Sequence, residues 1–114
     1  MRKPGIWGAL AALSGAVAVL AGAFGAHGAS GRAAEWLRTG AEYQMVHAVA
    51  ALVALSLPKG RNAAVLFIVG GALFAGTLYA MACGGPKWLG AMTPLGGAAM
   101  IGGWLVLTLA ALRR

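Results

Sequence analysis

Negative charge is almost missing from this sequence: of 114 residues, only Glu35 and Glu42 are acidic. Charged residues of both signs amount to 10%, against about 25% in a soluble domain, too few to cover a globule in water. Cysteine occurs once, at Cys83, which excludes an intramolecular disulfide and any multi-cysteine metal centre. Neither a nucleotide loop nor a nucleophile–base pair is present, so nothing in the chain argues for catalysis. What remains is apolar: 61% of the residues are hydrophobic and 19 are glycine.

The apolar residues fall in four uncharged stretches. Pro4 to Gly31, Tyr43 to Pro58, Asn62 to Pro86 and Trp88 to Leu112 run 28, 16, 25 and 25 residues. A hydrocarbon core about 30 Å thick takes about 20 apolar residues of helix to cross. The pattern predicts an all-α membrane protein, a single domain over 1–114, with four transmembrane helices near 6–26, 40–57, 63–83 and 89–112. Loops this short make successive helices antiparallel, an up-down bundle. Arg2-Lys3, an apolar run and Ala21-Gly22-Ala23 imitate a secretory signal, but the run is longer than an h-region of about 7–15 residues. Helix 1 is therefore expected to stay uncleaved.

The net charge of +7 does not point to nucleic acid, because the basic residues form short end clusters rather than a stripe. Arg2, Lys3, Lys59, Arg61, Arg113 and Arg114 fall on one side, and Arg32, Arg38 and Lys87 on the other. The positive-inside rule then puts both termini in the cytoplasm. Between helices 1 and 2, Arg32 to Gly40 mixes charge with Trp36, which suits a short amphipathic helix at the interface. In helix 1, Ser14, Ala18, Gly22 and Ala26 recur every fourth residue, a small-residue stripe for close helix packing. Thr93-Pro94 reads as a helix start.

On this topology the polar residues collect in the outer half. His27, Glu42, Tyr43, Gln44, His47, Tyr79, Cys83 and Thr93 form that layer, while the inner half of the spans holds almost nothing polar. Ionisable groups at membrane depth mark either a site or a satisfied internal network. His27 can simply cap a helix end, His47 can rest neutral on Tyr79 or Gln44, and Glu42 suits the positive N-terminus of helix 2. Sharper readings are available too. His27 and His47 could ligate a haem iron, or a transition metal together with Glu42. Glu42 and His47 could exchange protons in a small oligomeric transporter or channel.

Several segments resemble one family. Gly22-Ala23-Phe24-Gly25-Ala26-His27-Gly28 and Glu42-Tyr43-Gln44-Met45-Val46-His47 are similar to the GAFGAH and EYQ-x-x-H signatures of the YgdD/YwdK family of small bacterial membrane proteins, domain of unknown function 423. Leu73 to Tyr79, Thr93-Pro94-Leu95-Gly96-Gly97 and Gly102-Gly103-Trp104 resemble its later motifs, and Ala75 stands where relatives often carry Ser. The resemblance runs over about residues 8 to 105 and includes a small mitochondrial transmembrane relative. It implies four helices in the bacterial plasma (inner) membrane and brings no biochemical activity with it. The expectation is a non-enzymatic accessory, assembly or structural component. Its partners would be the lipid bilayer and a homo-oligomer or larger membrane complex, and no cofactor is expected.

Overall fold

The computed structural model describes residues 5–113. It contains α1 (Gly5–His27), α2 (Gly31–Leu55), α3 (Arg61–Ala82), a 3-10 turn (Lys87–Ala91) and α4 (Thr93–Leu112), with no strand among the described residues. Each helix packs mainly on its neighbour in sequence, α1 on α2, α2 on α3 and α3 on α4. The row bends enough for α1 to touch α3, while α1 and α4 share almost no contact. Arg2, Lys3 and Arg114, which carry half of the sequence-based topology signal, lie outside the described residues.

Two boundaries differ from the sequence reading, each for a physical reason. The expected separate interfacial helix over Arg32–Gly40 is instead the beginning of α2, one continuous helix of 25 residues. Gly40 looks like a break but costs a helix only about 1 kcal/mol. Here it makes room for a neighbour: a Cβ at Gly40 would stand 2.7 Å from the Tyr79 ring. Ala34 and Leu37, which an interfacial helix would leave outside, are buried where Leu37 meets Gly25 of α1. At the other boundary, α4 begins at Thr93 rather than Leu89. Proline is tolerated only in a helix's first turn, where its missing N–H is no loss, so Pro94 fixes the start and Lys87–Ala91 winds separately.

Small residues make the seams. Along α1, Ala11, Ala18 and Gly25 are buried, with Ser14 and Gly22 half-buried beside them, whereas Ala26 is exposed. A strict four-residue repeat drifts around a helix of 3.6 residues per turn, and a seven-residue repeat stays nearly in line. The stripe thus steps from Gly22 to Gly25 instead of Ala26. Between α3 and α4 the backbones themselves touch: a Cβ on Gly96 would meet the Gly70 carbonyl at 2.7 Å. Phe67, fully buried, is the largest side chain in a core otherwise made of Ala11, Ala51, Ala54, Ala63, Ala64 and Ile68. Large apolar side chains such as Leu20, Ile101 and Leu105 point outward, where lipid is as good a solvent for them as a core.

Candidate functional site

Two side chains on α2 join all four helices. Gln44 and His47 are one turn apart on the same face, and both are buried, at 5% and 6% exposure. Gln44 Nε2 donates to Ser14 Oγ of α1 at 3.0 Å, and its Oε1 accepts from the Tyr79 hydroxyl of α3 at 2.7 Å. Trp104 Nε1 of α4 donates to His47 Nε2 at 3.0 Å. An indole N–H can only donate, so Nε2 accepts and the ring proton must sit on Nδ1. From there it is donated to the Tyr43 carbonyl at 2.7 Å. His47 is fixed as the neutral Nδ1–H tautomer, and neither ring nitrogen offers an unengaged lone pair.

Aromatic rings enclose this histidine. Phe67 lies 5.5 Å and Trp104 5.8 Å from its centroid, both edge-on, and those two rings are 4.7 Å from each other. The Tyr43 ring, about half exposed, lies 4.9 Å from Phe74 and stacks 6.3 Å from the His47 ring. A second, smaller link joins α3 to the start of α4. Thr77 Oγ1 bonds the Phe74 carbonyl at 2.9 Å and Thr93 Oγ1 at 2.6 Å, and Thr93 in turn reaches the Leu89 carbonyl at 3.3 Å. Among the described residues, no buried side-chain nitrogen or oxygen is left without a partner.

The layer read from the sequence therefore divides. Gln44 and His47 are buried with half-buried Tyr79 bonded to Gln44, and half-buried Thr93 joins Thr77 in the separate link. Glu42, Tyr43, His27 and Cys83 are exposed. Glu42 and His47 are five residues apart, roughly 140° around the helix, and face different surroundings. The two histidines are not brought together either. Gly25 opposes Leu37 and Gly22 opposes Ala41, so His27 stands level with the first turns of α2, roughly 16–20 Å from the level of His47 at 1.5 Å per residue. No cluster of three His, Cys, Asp or Glu side chains suited to a metal occurs among the described residues.

Three contributors escaped the sequence reading. Ser14 was assigned to packing alone, while Thr77 and Trp104 were given no place in the layer. Trp104 had a usable signal, since a mid-helix indole in an apolar span needs an acceptor for its N–H, and His47, unlike His27, lies away from a helix end. Thr77 lacked one, because a threonine can satisfy itself on its own helix.

Comparison with known proteins adds the lineage. The family model described as a protein of unknown function (DUF423) matches residues 21–97, which include Gln44, His47, Tyr79 and Thr93. The chain belongs to this family. It is similar to a UPF0382 membrane protein of Haemophilus influenzae, 42% identical over 107 residues and 86% of each chain. It also resembles the UPF0382 membrane protein YwdK of Bacillus subtilis, 36% identical over 91% of this chain and 94% of that one. The UPF0382 inner membrane protein YgdD of Escherichia coli K12 is 36% identical over 90% and 86%. No solved structure matches. Members are membrane proteins, and α1, α3 and the stretch Lys87–Leu112 are each long and apolar enough to cross a membrane. Helix α2 falls short of that apolarity.

Proposed function

We propose that this DUF423 chain is a non-enzymatic inner-membrane protein that spans the bilayer four times, an accessory, assembly or structural component with both termini cytoplasmic. Helix α2 counts as the fourth span because it packs between α1 and α3 along its length, from Gly25–Leu37 down to Gly15–Ala48 and Gly71–His47. A segment at that depth shares the bilayer with its neighbours, and its two deepest polar side chains, Gln44 and His47, turn inward, as lipid requires. The observation carrying the functional reading is the saturation of the interior. Among the described residues each buried polar side chain is engaged in a hydrogen bond, most of them between helices, and none is left unpartnered.

The test is gentle detergent purification of the protein tagged at native level, with an absorption spectrum and identification of whatever elutes with it. A stoichiometric membrane complex is expected, without a Soret band. A partner-free coloured protein, or one whose reconstituted proton flux disappears with Glu42→Gln, would overturn the reading. Topology is checked separately: Cys83 is exposed at the end of α3 opposite Lys59 and should react with an impermeant maleimide from the periplasmic side.

A further inference from the structure

The Lys59 end of the molecule carries a groove that the polar interior does not explain. It runs between the α2–α3 turn and the last turns of α4. A cleft of about 540 Å³ lies on one side, walled by Leu57, Leu107 and Ala111. An adjoining one of about 400 Å³ is walled by Val106 and Leu109. Lys59, Ala110 and Arg113 line both, so the two are halves of one groove with cations at its mouth and aliphatic walls below. Arg61 adds a third cation to the second half.

No acidic side chain of the sequence lies at this end. The two acidic residues, Glu35 and Glu42, are both in the first half of α2, toward the opposite end. Lys59 also holds its place against a backbone preference. Its φ is +62°, the only positive φ outside glycine among the described residues. After a helix this left-handed position is usually glycine, and the neighbouring Gly60 shows that the sequence supplies one nearby.

We propose that this groove binds an anionic phospholipid, with the phosphate held by Lys59, Arg61 and Arg113 and an acyl chain lying along Val106 and Leu109. Basic pockets between helices at the cytoplasmic face suit such headgroups, and the walls give the chain the apolar surface that a soluble anion would not use. The inference rests on the membrane-spanning reading above, with the Lys59 end in the headgroup region.

The test uses the delipidated full-length protein in detergent, titrated with phosphatidylglycerol and with phosphatidylcholine of identical chains, and read by native mass spectrometry. Phosphatidylglycerol should be retained at least fivefold better. Lys59→Gly and Arg113→Ala should each lower that preference about fivefold, the equivalent of ~1 kcal/mol per cation. Lys59→Gly also relieves the left-handed strain, so misfolding does not account for its loss, and Lys87→Ala at the other end should change nothing. Equal retention of both lipids, or a preference untouched in both groove variants, overturns the proposal. Displacement of the lipid by millimolar inorganic phosphate would assign the groove to a soluble anion and overturn the lipid reading. A folded protein without lipid preference sinks the groove alone; maleimide labelling of Cys83 from the wrong side sinks the topology instead.

Discussion

Helix α2 carries both carboxylates, His47 and Gln44, yet nine of its residues are buried, whereas α4, apolar through most of its length, buries only Gly96, Met100 and Gly103. Position in the row sets how much is buried, since α2 and α3 each have two neighbours and α1 and α4 mainly one. Lipid, which solvates leucine as well as a core does but leaves a polar group unpaired, sets that Gln44 and His47 are on the buried face. The two helices are accordingly held by different forces. Helix α2 is fixed by directed hydrogen bonds to α1, α3 and α4. Helix α4 is fixed largely by the absence of side chains, with Gly96 and Gly103 admitting the backbone of α3 and the ring of Phe67.

The glycine contact is where the comparison breaks most readily. In Gly96→Ala the new methyl would meet the Phe74 and Gly70 backbones, which cannot rotate away as a flexible side chain could. A loss of about 2–3 kcal/mol is expected from such overpacking, measured by reversible unfolding in mixed micelles. Gly76→Ala, with open space around it, is the control and should gain up to about 1 kcal/mol from helix propensity. Equal effects at the two positions would mean that α4 is not seated on α3 by backbone contact.

Gln44→Leu attacks the other half of the comparison. It removes one side chain but strands two, leaving Ser14 Oγ and the Tyr79 hydroxyl without their partners. Unpaired buried groups cost about 1–3 kcal/mol, and the lower part of that range is expected because membrane-reference states find substitutes. Adding Tyr79→Phe to Gln44→Leu should recover part of the loss, since the stranded hydroxyl is then gone. Strictly additive losses would show that the chain of bonds from α1 to α3 is not a unit.

The same division explains what could be read in advance. Four uncharged runs announce four helices, because charge and length are local properties. Thr93-Pro94 carried a helix-start signal for the same reason, although the uncharged run set the expected start of α4 earlier, at Leu89 rather than Thr93. Gly40 misled, since a glycine that breaks a helix and one that admits a tyrosine ring are identical in sequence. Gln44, His47 and Tyr79 stood out as costly polar groups, but which of them bond to each other depends on register across helices. That register is set by small residues such as Gly25 and Gly71, whose partners no local pattern names. His47 was paired in expectation with Tyr79 or Gln44; the structure gives it Trp104 and the Tyr43 carbonyl instead.

Trp104→Phe sharpens the comparison at its joint, the one hydrogen bond by which α4 reaches α2. The ring contact with Phe67 is largely preserved, so the loss isolates the N–H···Nε2 bond, about 0.6 kcal/mol by the average for interhelical bonds in membranes. His47→Phe should cost more than Trp104→Phe, because it empties two hydrogen bonds and leaves the Trp104 indole unpaired. The reverse order would make Trp104 the anchor and His47 an accessory.

The smallest effect is expected at Glu42, and it separates the structural reading of the polar layer from a transport reading. Glu42 is exposed, its side chain makes no hydrogen bond among those described, and it looks away from His47 around the helix. Surface substitutions of this kind stay within about 0.5 kcal/mol, so Glu42→Gln should unfold like the parent protein. In liposomes the two should also be indistinguishable in proton flux. The comparison is informative because the outcomes are coupled to different helices' roles. A stable Glu42→Gln variant with altered flux would mean that α2 works through its exposed face as well as its buried one. A stable variant with unchanged flux leaves the buried face, where Gln44 and His47 bind the helices together, as the part of α2 that matters.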